Sequence, residues 1–211
     1  PSNLTRDFGY RGPGAVGDAV FFDINNNGLA DPGEGIANVL VTLTGDHDGD
    51  GADESVVTTT DTNGLYRFDG LRTSAAGVAY AVTISTATLP AGVTQSFDPD
   101  IASDNRSVAI VTNAAPSDLA RDFGYRGPGS VGDTVFLDIN NNGQADPGEG
   151  ITNVTLTLTG DFDGDGAIET VSTSTDANGQ FLFSGLLTTA AGVSYTIAVN
   201  PATLPLGFSP S

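Results

Sequence analysis

Asp23, Asn25, Asn27, Asp31 and Glu34 stand at positions 1, 3, 5, 9 and 12 of a twelve-residue stretch, with Gly28 at position 6. Each of those side chains offers oxygen, and a hard cation such as calcium takes about six to eight oxygen ligands from a loop of this EF-hand spacing. The glycine permits the sharp turn, and Leu29 at position 7 offers its carbonyl. The same spelling returns 115 positions later as Asp138, Asn140, Asn142, Asp146 and Glu149, with Gln144 at the carbonyl position. Asn and Asp also favour turns that hold no metal. A turn alone, however, asks for no carboxylate at position 12, and here that carboxylate recurs in register.

A second acidic loop follows a strand later. Asp46, Asp48 and Asp50 occupy positions 1, 3 and 5, Gly51 position 6, Ala52 the carbonyl position and Glu54 position 9. Its duplicate is Asp161, Asp163, Asp165, Gly166, Ala167 and Glu169, with Phe162 for His47 and Ile168 for Asp53, so neither His47 nor Asp53 is required of a ligand. Position 12 is Val57 or Ser172, so this loop needs water or a ligand from elsewhere. Asp98, Asp100 and Asp104 form a third acidic loop that could supply one. Asp18 and Asp133 fall in a period-two segment at positions expected to face inward. An inward carboxylate needs a partner or a metal, so each is read as a direct ligand or as a group that orients one.

The net charge of −19 excludes binding nucleic acid through its phosphates. Of the 26 acidic residues, 14 lie in the two loop types and their duplicates, a density of like charge that would strain the fold without a cation. With no cysteine there is no disulfide or thiolate metal site. Weak all-oxygen calcium sites suit the outside of a cell, where dissociation constants of about 10⁻⁴ to 10⁻³ M suffice. Calcium at about 100 times such a constant adds roughly 2.7 kcal/mol per site, against a typical net stability of about 5–15 kcal/mol. Two or more sites per repeat would therefore make calcium structural. No apolar run approaches the roughly 18 residues of a membrane span, and the first residues lack signal-peptide character.

The elements that carry these loops read as strands. Residues 16–22, 39–44 and 80–84 alternate with period two, and 56–60, 65–68, 93–97, 107–111 and 119–125 are further candidates separated by turn residues. Asp61–Gly64 and Asp176–Gly179 carry Asn-Gly and are read as hairpin turns. Residues 1–96 align with 116–211 without a gap at 64 identical positions. The phase predicts a final strand of a preceding domain at 1–11, a complete antiparallel β-sandwich at 14–126, and a second sandwich at 129–211 short of its last strands. The Gly-Pro-Gly connectors at 12–14 and 127–129 should hold successive units close. Either the chain is a window on a longer array, the preferred reading, or neighbouring chains donate strands.

The run VGDAVFFDINNNGLADPGEGIANVLVTL, followed by DTNGLYRFDGL, resembles the B-type repeat domains of serine-aspartate-repeat surface adhesins, which are related to the collagen-adhesin B-type fold. The likeness covers nearly the whole repeat. It implies an all-β chain of tandem Ig-like or prealbumin-like sandwiches that bind calcium and form a rigid extracellular stalk. Some of the wider group lock the sandwich with a Lys–Asn isopeptide bond, which a chain without lysine cannot form.

The expected function is a non-enzymatic, calcium-stabilised spacer of a cell-surface adhesin or filament whose partners are adjacent repeats. The alternative is a recognition module that binds a host protein or glycan through calcium-ordered loops. Catalysis has no support: the single histidine is lost in the duplicate, and the carboxylates are spaced as cation ligands.

Overall fold

The computed structural model describes residues 8–100, 102–164 and 166–207. The strands in chain order are β1 (Gly14–Phe22), β2 (Leu40–Gly45), β3 (Glu54–Thr59), β4 (Leu65–Leu71), β5 (Val78–Ile84), β6 (Thr94–Phe97), β7 (Arg106–Val111), β8 (Ser117–Asp118) and β9 (Phe123–Arg126), then β10 (Gly129–Thr134), β11 (Thr155–Gly160), β12 (Glu169–Ser174), β13 (Gln180–Leu186) and β14 (Thr196–Val199). Two single-turn 3₁₀ segments, at Thr86–Thr88 and Pro201–Thr203, complete the regular structure.

In the first repeat a sheet ordered β4-β1-β9-β6, with β8 beside β1, packs on a sheet ordered β3-β2-β5-β7. Val16, Val20, Tyr66, Phe68 and Phe123 from one sheet meet Val41, Leu43, Tyr80, Val82 and Val111 from the other. Period two is visible where one face is wet: Val41 and Leu43 are buried while Thr42 and Thr44 are not. β1 departs from that pattern and is buried almost throughout, because strands flank it on both sides and both of its faces are covered. Its pairing with β9 is parallel, Val20 opposite Phe123 and Phe22 opposite Tyr125, so the sheet is mixed rather than purely antiparallel. In the second repeat β10 pairs with β13, and β11 lies between β12 and β14.

The Asn-Gly segments are tight turns but not hairpins. Asp61 Oδ1 accepts from the N–H groups of Asn63 (2.8 Å) and Leu65 (2.9 Å), yet β3 and β4 belong to different sheets. Asp176 repeats the arrangement between β12 and β13. Both crossings are anchored by a buried threonine. Thr60 Oγ1 donates to Ile36 O (2.6 Å) and accepts from Val39 N–H (2.9 Å), and Thr175 does the same for Ile151 and Val154.

Residues 8–11, expected at the end of a strand, are not in one, and Pro1–Asp7 lie outside the described residues. Between the repeats, Gly127 N–H donates to Gly185 O (2.7 Å), while Arg126 reaches both ways. Its Nη1 donates to Asp23 O (2.6 Å) and its Nη2 to Ser184 Oγ (2.6 Å). Asp163 Oδ2 accepts from Ala37 N–H across the same joint at 2.8 Å.

Candidate metal centre

The first loop leaves the end of β1 and folds over its own glutamate. Glu34 Oε1 accepts from Ile24 N–H (3.0 Å) and Oε2 from Asp31 N–H (3.2 Å), which ties position 12 back to the start of the loop. Asp23 Oδ1 accepts from Gly28 N–H at 3.3 Å. Asn25 and Asn27 turn their Nδ2 groups onto Asp31 Oδ2, at 2.6 and 2.8 Å. The second copy has the same wiring: Glu149 takes Ile139 and Asp146 N–H groups, and Asn140 and Asn142 donate to Asp146. Leu29 and Gln144, at the carbonyl positions, are exposed.

Burial gives this loop its electrostatic character. Asp23 is 2% exposed and Glu34 1%. Burial pushes the Glu34 carboxyl up to about 7, partly opposed by the N–H groups of Asp31 and Ile24, with the charges of Asp31 and Asp23 raising it further. The ion pairs among the described residues are Arg67–Asp69, Arg72–Asp46 and Arg121–Asp118, so no arginine neutralises Glu34. Buried carboxylates gathered with amide groups, with the nearby Arg126 guanidinium spent on the Asp23 carbonyl and no ion pair to Asp23 or Glu34 among the described residues, fit a hard cation. The two asparagine amides point positive hydrogen at Asp31, as a cation would present positive charge.

The second loop gathers Asp46, Asp48 and Asp50, with one carboxylate oxygen of each within 4.8 Å of the others. Asp161, Asp163 and Glu169 meet the same limit in the duplicate, and Asp165 lies outside the described residues. The position-9 glutamates close their loops: Glu54 Oε2 accepts from His47 N–H (2.9 Å) and Glu169 Oε2 from Phe162 N–H (2.8 Å). Ala52 and Ala167 are exposed in the same loops. His47 packs at a tilt against Tyr80 and Phe162 stacks on Tyr195, with ring centroids 5.5 and 5.9 Å apart, so the two residues share a packing role.

Asp98, Asp100 and Asp104 form a third cluster within the same 4.8 Å limit. Asp98 is 7% exposed, and its carboxyl is raised above the usual range by burial first. This cluster does not complete the second loop. β5 pairs Ile84 with Val41 and Thr83 with Arg106, which sets Asp104 beside the start of β2, whereas Asp46 follows Gly45 at its end, ~13 Å of strand away. Phe97 instead brings the third loop against Gly28 of the first, and Gln95 Nε2 holds Asp98 Oδ2 at 2.8 Å. Gln95 carries no signal in the sequence, since neither its spacing nor its type marks a ligand.

Asp18 lies apart from all three clusters, beside Asp122 and Asp118. Burial, then the charges of Asp122 and Asp118, raise its carboxyl to about 6. Asp122, itself raised by burial, accepts from Ala19 N–H at 3.1 Å. Asp133, expected inward, is exposed and accepts from Thr134 N–H at 2.9 Å, because no described strand lies against β10 where β9 lies against β1.

A family described as the SdrD B-like domain matches residues 14–125 and again 129–211. The chain belongs to this family. Over 203 residues it is 36% identical to the serine-aspartate repeat-containing protein F of Staphylococcus epidermidis, covering 93% of this chain and 11% of that protein. It is 35% identical over 207 residues to protein E of the same series from Staphylococcus aureus, covering 93% and 16%. A fibrinogen-binding protein of S. epidermidis is 35% identical over 182 residues, covering 81% and 15%. The chain thus spans less than a fifth of each of these relatives. Among solved structures it is similar to the shaft pilin SpaA of Lactobacillus rhamnosus GG (13% identity, TM-score 0.34, 93% of this chain and 90% of that one). It is also similar to a single B repeat unit of the collagen-binding surface protein of S. aureus (20% identity, TM-score 0.24, 88% and 83%). The SdrD B-like match brackets both copies of each acidic loop, and the first loop of the first repeat meets the second loop of the second repeat at the joint.

Proposed function

We propose that this chain is a calcium-stabilised, non-enzymatic spacer in the stalk of an extracellular surface adhesin, with residues 14–126 and 129–211 as successive units. Calcium would be held by Asp23, Asn25, Asn27, Asp31, Glu34 and the Leu29 carbonyl, by their duplicates, and by the carboxylates of the second and third loops. When bound, the ion supplies the positive charge that Asp23 and Glu34 lack. The observation that carries this reading is Glu34: a carboxylate 1% exposed, fixed by two backbone N–H groups and unmatched by any arginine among the described residues. A stalk also needs its units held at a set distance, which the Arg126 bridge and the docked connector favour. Its partners are then the neighbouring repeats rather than a small ligand.

Calorimetric calcium titration, combined with thermal melting and small-angle scattering in calcium and in chelator, tests both halves of the proposal. The expected result is two or more ions per repeat, a melting temperature lowered by chelation, and a broader distribution of inter-repeat distances without calcium. A chain that takes up no calcium, or whose melting and scattering ignore chelation, would sink it.

A further inference from the structure

The joint inside this chain brings together the two acidic loop types, one from each repeat. Asp31, Pro32 and Gly33, at the end of the first loop, line one cleft with Ile168 and Glu169 of the second repeat's second loop. Gly33 lies so close to the Thr170 carbonyl that an added Cβ would overlap it. Just past Glu34, the Ala37 N–H donates to Asp163 Oδ2 at 2.8 Å. That contact is shielded from water: Ala37 is 8% exposed and Asp163 9%.

Asp163 therefore serves two structures. It accepts a hydrogen bond from the first repeat, and it belongs to the group of Asp161, Asp163 and Glu169, which each bring a carboxylate oxygen within 4.8 Å of the others. Much of that loop is fixed from inside the second repeat. Gly164 N–H donates to Asp161 Oδ1 (2.6 Å), Gly166 N–H to Asp161 Oδ2 (3.0 Å) and Phe162 N–H to Glu169 Oε2 (2.8 Å), and the Phe162 ring packs on Tyr195. Asp163 is the member that the other repeat holds.

The two roles reinforce each other. Taking the Asp163 carboxylate out of water beside two further acids costs free energy, and the Ala37 N–H offsets part of that as a charge-assisted hydrogen bond. A divalent cation among the three acids removes their mutual repulsion and so favours docking. In the other direction, docking holds Asp163 in place before an ion arrives, which leaves less ordering for binding to do. By linkage the two effects are equal: the factor that calcium adds to docking is the factor that docking adds to calcium affinity.

We propose that calcium binding in the second repeat's second loop and docking of the first repeat form one coupled equilibrium, with Asp163 as the residue that joins them. The loop is then a lock on the joint, and its affinity is set by the repeat beside it as well as by its own ligands. The proposal rests on the calcium reading above and adds to it which ion controls the joint. Ala37 offers a way to cut the link without touching the loop. Asn38 is left-handed (φ +60°) and Ala37 is not, the pattern of a type II turn, whose first central position accepts proline. Ala37→Pro removes the N–H that Asp163 accepts.

Calcium titration of the 211-residue chain, followed by amide NMR, reads each loop separately. The Phe162 N–H reports the loop at the joint, and the His47 N–H reports its duplicate, which follows the end of β2 while Ala37 precedes its start. Ala37→Pro should raise the calcium midpoint at Phe162 roughly ten-fold, within the usual range for coupled sites, and leave the midpoint at His47 unchanged. Arg126→Ala, which releases Asp23 O and Ser184 Oγ on the two sides of the joint, should raise the Phe162 midpoint as well, and it answers the question if the proline variant loses its β-sheet circular dichroism. In the unchanged chain, calcium should slow hydrogen exchange of the Ala37 N–H by the same factor. A Phe162 midpoint that neither variant moves, equal shifts at Phe162 and His47, or Ala37 exchange indifferent to calcium would overturn the coupling. Loops that fill with calcium while the variants change nothing would leave the stalk reading standing, whereas loops that take up no calcium would remove both.

Discussion

Glu34 and Asp18 are both carboxylates raised by burial, but they respond to different remedies. For Glu34 the proposed remedy is a cation. Glu34→Gln should lower the melting temperature in calcium, by the few degrees that losing a site worth about 2–3 kcal/mol implies, and raise it slightly in chelator, where the buried charge is a liability. Differential scanning calorimetry with and without chelator reads both signs, and a variant less stable in both media would show that Glu34 serves the fold through its hydrogen bonds alone. Asp18 is governed by pH. Its folded value of about 6 lies above the ordinary 3.8, so the folded state holds the proton more tightly. That contribution is complete below about 3.8 and is lost as pH rises through about 6. Asp18→Asn should therefore flatten the fall in melting temperature between pH 4 and about 6.5, and an unchanged slope would assign the dependence to other carboxylates. The gathering of the residues at positions 1, 5, 9 and 12 of the first loop was legible in the chain because loop chemistry is local. The raised carboxyl of Asp18 was legible only in part: burial, its main cause, follows from the inward position that period two assigns, whereas the added charges of Asp122 and Asp118 lie far along the chain.

At the scale of elements, alternation identified β1, β2 and β5, and in β2 and β5 it corresponds to one wet face. In β1 the alternation of residue types did not reveal that both faces are covered between two neighbours, since burial there shows no period-two contrast. Asn63-Gly64 and Asn178-Gly179 announced a reversal of the chain but not its destination, because turn chemistry fixes a bend and says nothing of which strands will pair. The two copies of the first loop offer a controlled comparison. Gly33 and Gly148 have φ of +89° and +93°, so alanine at either strains the backbone alike, by about 1–2 kcal/mol. A Cβ on Gly33 would also overlap the Thr170 carbonyl across the joint, whereas one on Gly148 has nothing within 4 Å. Gly33→Ala should therefore open the joint, seen as faster amide exchange at residues 170–173, while Gly148→Ala leaves that exchange unchanged. Equal exchange in the two variants would mean that the joint yields without cost.

For the whole molecule, the 115-residue period and the all-β architecture could be read directly, since a duplicated sequence duplicates its fold. The joint could not. Asp163 meets Ala37 and Arg126 meets Asp23 across more than a hundred residues, and no local spacing encodes such pairs. The recurring Arg-Gly-Pro-Gly was the one available sign that something is built there. Within the first repeat, the chain enters through β1 and leaves through β9, and these two strands are adjacent, parallel and in register over Val20–Phe22. A pull on the two ends then loads their hydrogen bonds along the strand axis, so the bonds must fail together in shear instead of peeling apart one by one. Parallel adjacency of the entry and exit strands thus makes the repeat a tension-bearing link. Single-molecule stretching of this repeat through its ends should give a rupture force well above that for pulling across β2 and β3, which unzip, and comparable forces in both directions would show that the parallel contact bears no load.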